Sequence, residues 1–465
     1  MNMRMSFAVA AGLVAASVLA EQPAVESGSV FMVQDPVSRK VTIGYRLENA
    51  PGIVTVDVQT NAGENAWASI GGERLRSVVG DVNRLVEKVG VDCRIHWIPD
   101  CDWPDGAKMA GSSVRAVVTA WSPSAPPDYW AVSLLDKTQR YYPNEGSLPG
   151  GIQDDRWRKE WLLMRKVPAA GVEFRQGSPS TEINRTGAKE GPVYTSFLSD
   201  YYLGVFEFTQ WQYRYVLKAN KYTRHEDYPY FTTDSDTRPM ENEGLLDCFV
   251  AFSANVYQWP NDDPEVARSV NDQSLFGFLR KETGLDCYLF LPTEAQWEYA
   301  CRAGADTTYY DGWDLTGWHE DQENLHEIAR FAYNSGACKD GVWGDVPRDV
   351  APSVGGTARV GSYKPNAWGF YDMLGNVEEW CLDRGWQDGK GANAAKCTLS
   401  GGRDPKGFAK SDGWVYFPRG GGWRSSSYTL RIAQRDVGHG GWDAGGKNGT
   451  GSLQTVGFRV CYQLH

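Results

Sequence analysis

Positive charge is in short supply. The chain has 47 Lys and Arg against 58 Asp and Glu, a formal net charge of −11. No basic stripe is available to release counterions from a polyanion, which excludes nucleic acid as the partner. Beyond the first twenty residues no segment approaches the roughly 20 apolar residues that a spanning helix needs. Histidine is scarce, at six residues. Cysteine is present in an odd number, nine, so at least one thiol is left over from any set of intramolecular bridges. Cys93 and Cys101 flank a short turn-rich segment and could close a local disulfide loop. They have no second Cys or His pair nearby at zinc-ligand spacing.

What is present begins with an export signal. Arg4 supplies a positive start, residues 7–19 form a short apolar run, and Val18 and Ala20 are small enough for the −3 and −1 positions. Residues 1–20 therefore read as a secretory signal peptide cleaved after Ala20, which places the protein in the periplasm, on the cell surface or outside. No Cys follows the apolar run, so a lipid anchor is not expected.

Residues 27–137 read as short β-strands punctuated by Gly, Asn, Asp and Pro. The β-rich runs include 41–45, 53–58, 93–97, 114–118 and 129–133. This grammar predicts a small all-β sandwich, similar to immunoglobulin or fibronectin type III modules, acting as a spacer or docking unit. Residues 138–158, with Pro143, Pro149, Gly150 and Gly151, read as a linker.

From residue 159 onward the grammar changes. Thr209 is placed to cap a helix running through Leu217. Residues 272–282 have helical spacing, with Leu275, Phe276 and Leu279 on one face. Thr293 can cap a third helix, in which Glu294 suits the first turn and Trp297 and Ala300 face inward. Abundant Gly (51) and Trp (19) suggest a loop-rich fold whose core is filled by flat rings.

Five motifs occur in order after a lead-in at residues 167–178. The first is Tyr201-Tyr202-Leu203-Gly204-Val205-Phe206-Glu207-Phe208-Thr209, and residues 291–302 read LPTEAQWEYACR. Residues 366–380 read NAWGFYDMLGNVEEW, Arg419-Gly420-Gly421-Gly422-Trp423 follows, and Gly457-Phe458-Arg459-Val460 closes the set. Over residues 159–465 the chain resembles the formylglycine-generating enzyme, or sulfatase-modifying factor, family. The resemblance implies an irregular α+β domain with a C-type-lectin-like fold. It also implies a structural calcium ion, held by the carboxylates of Asp372 and Glu379 and the main-chain oxygens of Gly375 and Val377. Calcium takes six to eight oxygens, and such a turn can supply both kinds. The family's other calcium position falls near Asn334 and Ser335, where no acid stands near Pro352 to complete it. Cys301 occupies a family cysteine position, and its usual partner position holds Ile432.

In the family two cysteines after the Arg-Gly-Gly stretch bind copper(I), which soft thiolates select. Here the segment reads Trp423-Arg424-Ser425-Ser426-Ser427-Tyr428, and Ser425 and Ser427 lie near the cysteine positions. Hard hydroxyl oxygens do not replace thiolates for copper(I), so copper-dependent cysteine oxidation is not expected. No G-x-S-x-G elbow surrounds these serines to suggest a nucleophile. None of the six histidines forms the His-x3-His-x-Glu pattern of an iron-binding branch, and His319 and His326 sit among acids on a charged face. Arg424, Tyr428 and Trp442 remain as residues suited to a peptide- or glycan-binding groove. The expected function is an exported binding or scaffolding protein. The alternative is an enzyme of the same superfamily, an oxidase or periplasmic maturation factor, with altered chemistry.

Overall fold

The computed structural model describes residues 22–464 except 62, 64–65, 104–112, 186–189, 223–228, 242–269, 271, 318–320, 384, 388–394, 397–400, 406–413, 436–438 and 441–452. The proposed signal peptide and Trp442 therefore lie outside the described residues. Two compact units are present. One comprises residues up to Gly71 with Ser77–Pro126, and the other comprises Gly72–Arg76 with Pro127 onward.

The first unit is built almost entirely of antiparallel strands. Phe31–Gln34, Val41–Tyr45, Cys93–Trp97 and Val79–Gly80 form one four-stranded sheet. Val114–Trp121, Gly52–Asn61, Trp67–Ser69 and Arg84–Val86 form another. Alternation is clear where one face is buried. Val41, Ile43 and Tyr45 point inward, as do Cys93, Ile95 and Trp97 on the neighbouring strand. Cys93 and Cys101 are not bonded to each other, contrary to the sequence expectation. The reason is the pleat: Cys93 is buried on the inward face of its strand, whereas Cys101 is exposed in the helical turn Pro99–Asp102.

The second unit centres on a six-stranded antiparallel sheet of β1 (Tyr129–Ser133), β2 (Gln139–Tyr142), β3 (Trp161–Val167), β4 (Tyr201–Gly204), β5 (Leu289–Phe290) and β6 (Cys461–Gln463). Their spatial order is β2-β1-β3-β4-β6-β5. This corrects two sequence expectations. The strand at 129–133 does not close the first unit, because it pairs with β2 on one side and β3 on the other. All five of its residues are buried, as expected for an internal strand. Residues 138–158 are not a linker either. They contain β2, and they bury Leu148, Trp157 and Arg158. Arg158 donates to the carbonyls of Val360 (2.8 Å) and Ile152 (3.0 Å). Proline and glycine mark turns here that are packed rather than free.

The longest helices among the described residues of this unit are α1 (Gln210–Ala219), α2 (Leu275–Thr283) and α3 (Glu294–Arg302). Each starts at a side-chain cap. Thr209 and Gln212 form a capping box, as do Thr293 and Gln296, and the Ser274 hydroxyl accepts from Gly277 N. α2 ends where Gly284 adopts φ 70°, a left-handed stop that glycine takes without strain. On α3, Trp297 and Ala300 are fully buried, as the spacing implied. Glu294 is buried too, which a first-turn surface acid would not be.

Losing the Thr293 hydroxyl leaves a helix-start N–H without its partner. Thr293→Ala is expected to cost about 1 kcal/mol, read as a lower thermal midpoint with unchanged far-ultraviolet circular dichroism.

Candidate functional site

The motif at 366–380 is a loop held open by its own side chains and by three distant segments. Asn376 sits at φ 59° with its side chain fully buried. Its Oδ1 accepts from Ala358 N (2.8 Å), and its Nδ2 donates to Glu207 Oε2 (2.6 Å). Glu207 Oε1 accepts from Val377 N (3.0 Å), so one carboxylate reads two consecutive residues. The main chain of Asn376 donates to Arg330 O (2.7 Å) and accepts from Trp423 N (2.8 Å). Gly375 lies against Arg330, where a Cβ would come 2.4 Å from the carbonyl oxygen, so only glycine fits.

Two residues on, Glu379 is buried against Arg459. The guanidinium donates through Nε to Glu379 Oε2 (2.6 Å) and through Nη2 to Oε1. Oε2 also accepts from Trp297 Nε1 (2.8 Å). Arg459 reaches further, to the carbonyls of Gly204 (3.0 Å) and Tyr371 (2.9 Å).

Asp372 completes the group. Its Oδ2 accepts from Gly361 N (2.6 Å), while Oδ1 is buried without a hydrogen-bond partner among the described residues. Burial pushes its carboxyl up to about 6. Burial, and then the neighbouring Asp372 and Glu379, hold the Glu207 carboxyl well above the usual range. Burial outweighs the nearby Arg459 guanidinium at both carboxyls. An orphaned carboxylate oxygen is where a hard cation fits. Glu379 Oε1 accepts one bond and keeps a second lone pair. Of the expected calcium ligands Asp372, Glu379, Gly375 and Val377, Asp372 offers the orphaned oxygen, while Glu379 is already paired with Arg459. The ion would tie the loop's carboxylates to its main chain.

The family's other calcium position, where no complete site is expected in this sequence, has a side-chain cation nearby. Arg330 donates to the carbonyls of Asn334 (2.6 Å), Gly356 (2.8 Å) and Pro352 (3.2 Å). Ser335 is buried, its hydroxyl donating to Trp423 O (2.5 Å).

A second buried network orders the segment after Arg419. Arg419 donates to Glu294 Oε2 and Glu298 Oε2, both at 3.0 Å, and Arg435 Nε shares Glu294 Oε2. These partners account for the burial of Glu294. Glu298 is held down to about 2: Arg302, Arg419 and Arg435 outweigh its burial. Beyond them, Ser425 Oγ accepts from Gly422 N (3.0 Å), and Ser425 O accepts from Ala332 N (3.0 Å). Ser427 is fully buried, with its carbonyl taking the Tyr309 hydroxyl (3.0 Å). Both serines build the turn, and Ser427 does not face solvent.

Arg424 and Tyr428 stay partly exposed on this turn. The Arg424 guanidinium lies 5.8 Å from the Trp423 ring and 3.6 Å from Asp345. Trp423 itself is core, packed edge-on against Phe231 at 5.1 Å. Arg431 braces Glu190 (2.8 Å) and Glu182 (2.5 Å). His326 pairs with Asp321 at 2.8 Å, and His319 lies outside the described residues. Cys301 is buried and unbonded, its Sγ 3.9 Å from Met373 O. Glu207, Arg330 and Arg459 are the residues whose roles sequence reasoning missed. Glu207 and Arg459 lay inside recognised motifs, but nothing local shows that they converge.

Two outcomes follow. Arg459→Met strands Glu379 as a buried charge, at a cost of about 3–5 kcal/mol, visible as a large fall in thermal midpoint. The pH profile of stability is also determined. Burial raises Asp383 to about 8 and Glu241 to about 7, so their protonated forms favour folding. That contribution is complete below the unfolded carboxyl value and is lost as pH rises through 7 and 8. Glu298 works oppositely, stabilising above its unfolded value and losing this as pH falls toward 2. Thermal midpoints across the pH range should peak near about pH 5 and fall on both sides.

Comparisons with known proteins agree with this anatomy. Residues 164–464 match the family model described as the sulfatase-modifying factor enzyme 1-like domain. The chain is 35% identical over 94 residues to a formylglycine-generating enzyme of Thermomonospora curvata, covering 20% of this chain and 26% of that protein. It thus spans about a quarter of that relative's length. It is 25% identical over 249 residues to the chaperone protein LppX of Paenibacillus barcinonensis, covering 48% of this chain and 81% of that one. PvdO from Pseudomonas aeruginosa superposes with a TM-score of 0.43 at 20% identity, over 65% of this chain and 94% of that chain. With the family model spanning well over half of its length, this chain belongs to the sulfatase-modifying factor family.

Proposed function

We propose that this is an exported binding or scaffolding member of the family, whose turn at 423–428 presents Arg424 and Tyr428 to a peptide or glycan. One observation carries the reading: Ser425 and Ser427 stand near the positions of the paired cysteines, and both are used to build the turn. The Ser425 hydroxyl and the Ser427 carbonyl are the groups engaged, and a hydroxyl oxygen is no soft ligand for copper(I). The relative named a chaperone, which this chain matches over 81% of that protein's length, suits a role in binding rather than turnover. The first unit, with its two four-stranded sheets, would serve as an immunoglobulin- or fibronectin-like spacer. Calcium at Asp372, Gly375, Val377 and Glu379 would be structural, and the orphaned Asp372 Oδ1 supports it.

The matches to enzymes named formylglycine-generating favour a second reading, in which altered chemistry persists on the same scaffold. Elemental mass spectrometry on protein purified without chelators separates the two. Calcium near one per chain, lost in Asp372→Ala/Glu379→Ala, with no copper and no oxidation of cysteine-containing peptides, is the expected result. Stoichiometric copper, or conversion of a peptide cysteine to an aldehyde, would overturn the binding reading.

A further inference from the structure

A cleft of about 570 Å³ opens between the ends of α1 and α2 and the turn joining β1 to β2. That volume lies within the range of small-molecule sites, roughly 300–1,000 Å³. Its lining is polar, including Lys137, Asn220, Asp272, Gln273, Arg280 and Lys281. Planar amides donate to and accept from hydroxyl groups, and a carboxylate accepts from them, the pattern that a sugar demands.

The cations decide what else the ligand carries. Both α1 and α2 end near this cleft, so their terminal carbonyls bring partial negative charge. Arg280 and Lys281 belong to the last turn of α2 and offset it. Arg280 donates to the carbonyls of Cys287 (2.8 Å) and Leu289 (3.0 Å), and Lys281 donates to Asn220 Oδ1 (2.9 Å). Asn220 is bonded in turn to Glu282 (3.1 Å). Lys137 belongs to neither helix. It sits in the β1–β2 turn at φ 63°, its main-chain N–H donating to Ser133 O (3.2 Å). Its aliphatic stem packs beside Gly284, where a Cβ would stand in ordinary contact, 3.4 Å from Lys137 Cδ. Among the described residues its ammonium has no ion pair. In a chain of net charge −11, a cleft lined by Lys137, Arg280 and Lys281 against the carboxylate of Asp272 carries an excess of positive charge and is a seat for an acid group.

We propose that this cleft binds a monosaccharide-sized acidic sugar, with its acid group on Lys137 and its hydroxyls on Gln273, Asp272 and the remaining lone pair of Asn220 Oδ1, whose amide nitrogen is spent on Val216 O and Glu282. The site is separate from the turn at 423–428 and stands or falls independently of it.

Calorimetric titration of the full chain at low ionic strength tests the idea, with a hexuronic acid, a hexose sulfate, a hexose phosphate, the neutral hexose and inorganic sulfate as probes. At least one acidic sugar should bind saturably and about tenfold more tightly than the neutral hexose, and the preferred probe identifies the acid group. Lys137→Asn keeps a residue that tolerates positive φ and should weaken that binding several-fold without lowering the thermal midpoint. Saturation by none of the acidic sugars, unchanged affinity in Lys137→Asn, or inorganic sulfate binding as tightly as the best sugar would each overturn the proposal.

Discussion

The buried pairing of Arg459 with Glu379 is the contact on which the second unit depends. A guanidinium taken out of water must satisfy every N–H it brings, and this one does so across the fold. It bonds a carboxylate of the 366–380 loop, the carbonyl that ends β4, and the carbonyl of Tyr371. Trp297 on α3 reaches the same carboxylate. Four segments far apart in sequence are therefore locked by one charge pair. A purely apolar core would pack the same elements with less exact register.

Around that pair the fold repeats one device: a buried charged side chain bonded to main-chain groups of irregular loops. Glu207 holds 376–377, Arg330 holds 334, 352 and 356, and Arg158 holds 152 and 360. Loops lack the ladder that satisfies backbone groups in helices and sheets. Here long side chains supply the missing partners, which lets a domain with few regular elements stay dense. The same device shapes the candidate surface, because Arg419 anchors the start of the turn that carries Arg424 and Tyr428.

What the sequence discloses follows the range of the interaction. The capping boxes at Thr209 and Thr293 span three residues, and both helices start where local reading puts them. The family motifs are likewise contiguous and mark the domain. Glu294 reads locally as a surface acid, yet it is buried because Arg419 lies 125 positions away. The strand at 129–133 is β-rich on any reading, but its partners settle which sheet it joins. Ser425 and Ser427 read as substituted ligand positions, and only the fold turns them into turn-building groups.

The position of Arg459 has a consequence for biogenesis. Strand β6 enters the sheet between β4 and β5, and Arg459 lies just before it. Both are translated after nearly every residue they organise. A nascent chain therefore carries Glu379, Glu207 and the 366–380 loop for a long interval with no guanidinium to receive them. Closure of the second unit therefore waits on the arrival of residue 459, however early its other elements form.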